Sequence, residues 1–164
     1  VRAWNKTYGL PTIITNCSNN FGPWQFHEKL IPLTISKAIS NENIPLYGDG
    51  SNIRDWIFID DHVEALIIAA IFGNNGSTYC IGSENEKTNK EVIESICDLL
   101  DEIYVKNVPH SNLIKFVEDR PGHDKRYAIN PTKINSELGW FPKYSFEEGL
   151  KKTVLWYVKN IRSK

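Results

Sequence analysis

The sequence predicts an α/β fold with parallel strand pairing, on the strength of two observations. Short strand-like runs alternate with amphipathic helices along the 164 residues, and this alternation is typical of parallel sheets joined by crossover helices. Three helices also begin with a Ser, Thr or Asp three residues before a glutamate, which is the pattern of a capping box. With 41% apolar and 24% charged residues and no linker-like stretch, we expect residues 1–164 to form a single structural unit.

The first elements form a helix–strand–loop–helix series. Residues 1–9 have the pattern of the last turns of a helix that Gly9 ends, and no start signal precedes them, so we expect the chain to begin inside a larger fold. An apolar strand at residues 12–17 leads into an asparagine-rich loop. A helix follows at about residues 28–41, where Pro32 fits only near the first turn.

The remaining elements follow in alternation. Extended pieces at Ile44–Tyr47 and residues 53–59 flank a Gly-Asp-Gly turn, and short strands are predicted at Thr78–Ile81 and residues 113–117. A helix with Asn130 as cap and Pro131 in its first position ends at Gly139. The three capping-box helices begin at the pairs Asp61 and Glu64, Thr88 and Glu91, and Ser145 and Glu148.

Charge and cysteine content exclude several classes of partner. The net charge of −1 provides no general attraction for nucleic acid or for an anionic membrane, and no apolar run approaches the roughly 20 residues of a membrane span. The three cysteines, Cys17, Cys80 and Cys97, are an odd number without paired spacing. That pattern favours a reducing compartment, and we expect a cytoplasmic location.

Arg54 is the most informative charged residue, because it lies inside the apolar strand around residues 53–59. A guanidinium there is costly unless it meets an anion. Asp55 is a poor partner, since neighbouring residues of a strand face opposite sides. One interpretation is a salt bridge to a distant carboxylate; the favoured one is a phosphate clamp, because guanidinium binds two phosphate oxygens at once.

Arg120 and His123 lie in a turn stiffened by Pro121 and Gly122. Their cationic side chains are therefore held in place, which favours a ligand site. The alternative is a solvated basic loop.

Three asparagines complete the pattern of a polar site. Asn19 and Asn20 follow the predicted strand 12–17 directly, at the end where open α/β sheets bind ligands, although both could simply form a turn. Asn89 occupies the first position of a capped helix, where a negative ligand is favoured, but it could be an ordinary first-turn residue.

Motifs of other site types are absent from the sequence. There is no GxGxxG, no P-loop and no nucleophile elbow, and the four histidines lack the spacing of metal ligands, so we predict no metal site. The residues alone therefore predict an α/β protein with an anion-binding edge.

A resemblance to a known family covers nearly the whole chain. It rests on the following segments, in order: NCSNNFGP at residues 16–23, EKLIPL at 28–33, PLYG at 45–48, IRDW at 53–56, residues 79–85, Asn89, DRPGHD at 119–124, RYAI at 126–129, LGW at 138–140 and the Trp-Tyr pair at 156–157. These resemble the C-terminal half of the nucleotide-sugar 4,6-dehydratases, in particular those that act on dTDP-glucose in deoxysugar and cell-surface polysaccharide biosynthesis. They belong to the NAD-dependent epimerase/dehydratase family of extended short-chain dehydrogenases/reductases.

The resemblance implies the C-terminal part of a Rossmann-type doubly wound sheet, interleaved with a smaller domain that binds the nucleotide sugar. It further implies NAD as cofactor, a dTDP- or UDP-hexose as substrate and a homodimeric parent enzyme. The substrate-binding residues that it implies are Asn19, Lys29, Leu30, Pro45, Tyr47, Arg54, Asn89, Arg120 and His123. Cys17 and Asn20 would lie beside the nicotinamide.

Catalytic residues are not expected in this chain. In the family, the glycine-rich NAD turn, the Tyr-x-x-x-Lys pair and the acidic dehydration residues precede the matching region, so we expect the cofactor-binding half to lie upstream and this chain alone to be inactive. Two alternatives stay open. The parent could be a related epimerase or decarboxylase, or the chain could be a non-catalytic nucleotide-sugar binding module.

Overall fold

The computed structural model describes residues 1–104 and 107–161. The helices are α1 (Arg2–Tyr8), α2 (Leu30–Ile39), α3 (Ile59–Phe72), α4 (Asn89–Ile103), α5 (Thr132–Leu138) and α6 (Phe146–Ile161), with a 3₁₀ turn at His110–Leu113. The strands are β1 (Ile14–Cys17), β2 (Asn19–Phe21), β3 (Ile44–Tyr47), β4 (Ile53–Phe58), β5 (Thr78–Ile81), β6 (Glu86–Thr88), β7 (Ile114–Val117) and β8 (Arg126–Tyr127).

The strands form three small sheets that are mostly parallel. β1 pairs with β5, and β3 pairs with β7, both in parallel. In the third sheet β4 is central: β2 and β8 pair with it in parallel, whereas β6 is antiparallel to it. The predicted α/β class with parallel pairing is confirmed, with β6 as the antiparallel exception.

Two apolar clusters hold these elements together. The larger one packs α2, α4 and α6 against β2 and β4, and its centre is aromatic: Phe21 lies edge-on to Trp56 and Phe58 and also contacts Phe146. The smaller cluster joins α3 and α5 to β5 around Tyr79 and Trp140. The larger cluster therefore fixes β2 and β4, the two strands that carry Asn19, Asn20 and Arg54.

Two of the three predicted capping boxes are confirmed. Thr88 and Glu91 exchange bonds at the start of α4, and Glu148 and Ser145 do so at the start of α6, at 3.2 and 2.9 Å. Both place a polar side chain against backbone N–H groups that have no partner inside the helix.

The third predicted capping box, at Asp61 and Glu64, is wrong. The helix already begins at Ile59 and has no side-chain cap. Asp61 is buried in its first turn, and its two oxygens accept the backbone N–H groups of Lys143 and Tyr144 at 2.9 and 3.1 Å. Its carboxylate therefore ties α3 to the segment that precedes α6, which a short-range motif cannot reveal.

Several other boundaries differ from the predictions. The strand expected at 12–17 begins at Ile14, and the helix expected at 28–41 spans Leu30–Ile39, with Pro32 in its first turn. The start of α5 shifts by one residue, because Asn130 accepts the backbone N–H of Thr132 at 2.8 Å. Gly139 ends α5 as predicted, in the left-handed conformation (φ 64°) that glycine adopts without steric cost.

The asparagine-rich loop is partly a strand, and this is the main correction to the predicted fold. β2 pairs with β4 through the partners Asn19 and Trp56, then Asn20 and Ile57. Two further short strands, β6 and β8, were also not predicted. Each obtains its backbone partners from the distant strand β4, so local propensity contains little information about them.

One face of α3 is apolar and exposed. Its exposed side chains recur at helical spacing: Val63, Leu66, Ile67, Ile71 and Phe72. Within the part of the chain that the structure describes, no helix combines the length and hydropathy that crossing a bilayer requires.

Candidate functional site

A cleft of about 410 Å³ opens between β2, β3, β4, the starts of α2 and α4, and the turn before β8. The residues that line it are Asn19, Gln25, Glu28, Lys29, Leu30, Leu33, Thr34, Pro45, Tyr47, Arg54, Trp56, Asn89, Arg120 and His123. All nine residues predicted to bind substrate lie among them. Segments more than a hundred residues apart in sequence, such as those of Asn19 and His123, thus converge on one cavity.

Strand β4 forms one wall of the cleft. Arg54 and Trp56 are two residues apart and therefore point to the same side of the strand. Trp56 is also the direct partner of Asn19 on β2. The strand pairing alone thus brings a guanidinium, an indole and an amide to one surface.

Arg54 as a residue is 8% exposed, and its guanidinium bonds to backbone carbonyls. Its Nη1 donates to Ile53 O at 2.6 Å and its Nη2 to Asp124 O at 2.9 Å. Among the described residues, no carboxylate lies within ion-pair distance of Arg54. No described residue therefore neutralises its charge, and three of its five N–H groups make no hydrogen bond within that part of the chain.

The turn that carries Arg120 and His123 is held over the cleft. β8 pairs in parallel with β4 just beyond it, and Asn52 donates to Asp124 O at 3.2 Å. Gly122 takes a left-handed conformation (φ 71°) that other side chains rarely adopt. The backbone is thus anchored directly after His123.

Asp119 orients the imidazole of His123. Its Oδ1 lies 2.7 Å from His123 Nδ1, and the His123 side chain is largely buried. This contact holds the pKa of the Asp119 carboxyl below its usual range, and the bond from the Arg120 backbone N–H acts in the same direction. With Nδ1 engaged by the carboxylate, Nε2 is the ring nitrogen left to face a ligand.

Two helix starts also border the cleft. Lys29 is the N-cap of α2, a helix without acidic residues in its first turn, and Asn89 is the first residue of α4. Both ends direct the positive pole of a helix dipole toward the cavity. The one carboxylate in the lining is that of Glu28, so cationic groups outnumber it.

The cleft can therefore hold a ligand of mixed chemistry. Lys29, Arg54, Arg120 and His123 provide donors for an anion such as a diphosphate. Pro45 and the exposed ring of Tyr47 provide a flat apolar surface at the end formed by β3. Asn19, Gln25 and Trp56 provide neutral polar groups.

Cys17 and Asn20 lie outside this lining, at the end of β1 and the start of β2. Asn20 Nδ2 donates to Cys17 Sγ at 3.1 Å and to Ser18 O at 3.2 Å. The Oδ1 atom of Asn20 and the Oγ atom of Ser18 are buried and make no hydrogen bond in the described structure. The structure brings Cys17 and Asn20 together; their predicted contact with a cofactor stays a prediction.

Among the described residues, neither the potential metal ligands nor the Cys97 thiol forms a reactive site. No group of three His, Cys, Asp or Glu residues within residues 1–104 and 107–161 is placed to hold a metal ion. Burial, with the nearby charges of Asp101, Asp98 and Glu94, raises the pKa of the Cys97 thiol to about 12. That thiol is therefore protonated and inert at neutral pH.

Five residues in the lining were not singled out from the sequence: Gln25, Glu28, Leu33, Thr34 and Trp56. Trp56 could have been found by alternation, because it follows Arg54 by two residues on a strand. Leu33 and Thr34 follow Leu30 by three and four residues on α2, which is again a periodic signal. Gln25 lies in an irregular segment, and no periodic signal points to it.

Known proteins are similar to this chain in sequence and in fold. A family model described as GDP-mannose 4,6 dehydratase matches residues 1–153. The dTDP-glucose 4,6-dehydratase of Shigella flexneri is 55% identical over 160 residues, which is 98% of this chain and 44% of the relative.

Solved structures show the same similarity. The dTDP-glucose 4,6-dehydratase of Bacillus anthracis, solved in complex with NAD, has 48% identity and a TM-score of 0.89 over 98% of this chain and 49% of that one. The UDP-glucose 4-epimerase of Thermotoga maritima, solved with UDP-glucose, has 27% identity and a TM-score of 0.83 over 97% of this chain and 50% of that one. The chain thus spans about half the length of the relatives that it matches.

Proposed function

The chain belongs to the GDP-mannose 4,6-dehydratase family, and on that premise we propose that it is the substrate-binding portion of an NAD-dependent dTDP-glucose 4,6-dehydratase. The observation that supports this most strongly is the cleft, in which all nine residues expected to bind the nucleotide sugar meet. The enzyme would convert dTDP-glucose into dTDP-4-keto-6-deoxyglucose. We also propose that it is a cytoplasmic homodimer.

Each end of the cleft suits one part of such a substrate. Arg54, Arg120, His123 and Lys29 would bind the diphosphate, since guanidinium groups and the starts of helices favour phosphate oxygens. Tyr47 and Pro45 would pack against the base. The neutral wall around Asn19 would then face the hexose.

The residues proposed to lie beside NAD fit an amide-bearing ring. Asn20 Oδ1 is a buried acceptor without a partner among the described residues, and a carboxamide N–H is a suitable donor for it. Cys17 Sγ is fixed by the Asn20 amide at 3.1 Å. When bound, NAD supplies hydride chemistry by oxidising C4 of the sugar and returning the hydride to C6; this chain's residues bind and orient.

The leading alternative is a nucleotide-sugar epimerase, which the similarity to the Thermotoga enzyme supports. The higher identity to dTDP-glucose 4,6-dehydratases, 55% against 27%, favours dehydration. A non-catalytic binding module is the second alternative, and only an activity measurement separates it from the first two.

The experiment that tests the proposed function is a product assay on the full-length protein. We expect dTDP-glucose to be converted into a 4-keto-6-deoxy sugar nucleotide, which NMR identifies by loss of the C6 hydroxymethyl signals and the appearance of a methyl group. UDP-glucose is the control substrate and reports the nucleotide preference. Formation of dTDP-galactose would show an epimerase, and binding without turnover would show a binding module.

The apolar face of α3 leads to a proposal on domain organisation. We propose that Val63, Ile67 and Ile71, which are exposed here, pack against the cofactor-binding half that the longer relatives contain. β1 and β5 form a two-stranded sheet with open edges, and such a sheet is marginal unless further strands pair with it.

We therefore expect residues 1–164 expressed alone to be poorly soluble or partly unfolded. An exposed helix face and open strand edges promote association. Sedimentation and thermal unfolding of the purified chain measure this directly. A soluble monomer with one sharp cooperative unfolding transition would refute the proposed domain organisation. A matched variant, Ile67→Glu with Ile71→Lys, should raise solubility if this face is responsible.

A further inference from the structure

Two buried polar atoms on residues of the cleft wall have no hydrogen-bond partner among the described residues. One is a donor, the indole Nε1 of Trp56, and the other is an acceptor, the amide Oε1 of Gln25. Both residues line the cleft. Buried polar atoms without partners cost about 1–3 kcal/mol each, so two of them beside one cavity require an explanation.

The orientation of the Gln25 amide is fixed by its surroundings. Its Nε2 donates to the backbone carbonyl of Asn20 at 2.8 Å. A carbonyl only accepts, so the amide cannot turn over without placing two oxygens against each other. The backbone carbonyl of Gln25 in turn accepts the hydroxyl of Tyr157 at 2.7 Å. The position of Oε1 therefore follows from two neighbours, Asn20 and Tyr157, that hold the side chain and the backbone of Gln25.

Trp56 is equally constrained. The residue is 4% exposed, and its ring lies edge-on to Phe21 with the ring centroids 6.2 Å apart. On β4, Trp56 lies opposite Asn19 of β2. The next residue of β2, Asn20, accepts the hydrogen bond from Gln25. The partnerless donor and the partnerless acceptor thus belong to one continuous wall built on β2 and β4.

We propose that Gln25 and Trp56 form a subsite that recognises a hydroxyl group of the hexose. A sugar hydroxyl both donates and accepts, so it offers the donor that Gln25 Oε1 lacks and the acceptor that Trp56 Nε1 lacks. A phosphate oxygen could serve only the indole, and an ammonium group only the amide. This inference rests on the proposed function, and it assigns Gln25 and Trp56 as specificity-determining residues for the sugar.

The lack of charge on Gln25 and Trp56 agrees with this assignment. The cationic residues Lys29, Arg54 and Arg120 also line the cleft, but neither Gln25 nor Trp56 carries a charge. A neutral donor–acceptor pair discriminates a hydroxyl from its absence, because an analogue without it leaves both buried atoms unpaired again.

The test compares two ligands, dTDP and dTDP-glucose, on the full-length protein by calorimetry. Trp56→Phe removes the indole N–H, and Gln25→Met removes the amide at nearly constant volume. We expect each variant to weaken dTDP-glucose binding about fivefold, the size of one neutral hydrogen bond, and to leave dTDP binding unchanged. The matched control is Trp140→Phe. Trp140 also has a buried Nε1 without a partner among the described residues, but it lies in the smaller apolar cluster and does not line the cleft.

The outcomes separate this inference from the proposed function. If the unmodified protein binds neither ligand, the proposed function falls and the subsite with it. If it binds both, and the variants lose affinity equally for dTDP and dTDP-glucose or for neither, the hydroxyl subsite is wrong while the proposed function stands. A selective loss for dTDP-glucose in Trp56→Phe and Gln25→Met, with none in Trp140→Phe, supports the subsite.

Discussion

Substitution of Arg54 or Arg120 by alanine is expected to weaken binding of the nucleotide sugar by about 2 kcal/mol, or roughly thirtyfold. Each substitution removes a charge-assisted bond to the diphosphate. Both residues line the cleft, and no carboxylate of the described chain neutralises Arg54. Calorimetry with dTDP on the full-length protein measures the loss, and NAD affinity should change much less.

Arg54 has a second effect that the experiment must separate from binding. Its Nη2 bonds to Asp124 O and thereby helps hold the turn that carries Arg120. Arg54→Lys preserves the charge but not the planar fork, so it should recover only part of the affinity. Arg120 is exposed and makes no such contact among the described residues, so its loss should weaken binding without lowering the melting temperature.

Lys125→Ala provides the matched control for these two variants. Lys125 lies in the same turn, but its Nζ bonds to Ser51 Oγ at 2.5 Å and it does not line the cleft. Its removal should leave affinity nearly unchanged at physiological salt, because salt screens an exposed charge that does not contact the ligand. Equal losses of affinity for Lys125→Ala and Arg120→Ala would show that the positive charge of the whole turn attracts the ligand and that Arg120 makes no specific contact with the diphosphate. Unchanged affinity in both arginine variants would refute the assignment of Arg54 and Arg120 as diphosphate-binding residues.

The sequence predicted elements whose signals are local. The capping boxes at Thr88 and Ser145 and the glycine ends of α1 and α5 depend on residues within four positions of one another. Strands β2, β6 and β8 are two or three residues long and exist because β4 supplies their partners. No short window contains that information, which is why the asparagine-rich segment was expected to be a loop.

The residues of the candidate site also differ in whether a local sequence signal identifies them. Arg54 stood out because a charge inside an apolar strand needs a reason, and Arg120 because a rigid turn holds it. Pro45 and Tyr47 rested on family resemblance alone, since nothing in their local pattern points to a ligand. Gln25 reaches the cleft wall only through the fold of residues 22–29 and its bond to Asn20.

Asp61 shows how one misread motif conceals a long-range contact. It has the sequence pattern of a helix cap, but the structure buries it at 1% exposure and pairs it with two backbone N–H groups 82 and 83 residues away. Lys143 adds a contact from its Nζ to Glu64 at 2.5 Å, and this carboxylate raises the pKa of the lysine. The smaller cluster around α3 is thereby joined to α6, whose residues Phe146 and Leu150 belong to the larger one.

Asp61→Ala is therefore expected to lower the free energy of unfolding by about 3 kcal/mol, because two charge-assisted bonds are lost and a buried space is left. Urea unfolding of the full-length protein, with fluorescence as the signal, measures the change. The matched control is Asp60→Ala: Asp60 is also in the first turn of α3 but is exposed, so its loss removes only a helix-dipole interaction of about 0.5 kcal/mol. Asp61→Asn should give an intermediate loss, since its amide keeps one acceptor oxygen but directs N–H groups toward another donor. Equal effects of Asp60→Ala and Asp61→Ala would show that the carboxylate acts on α3 alone and does not join the two apolar clusters.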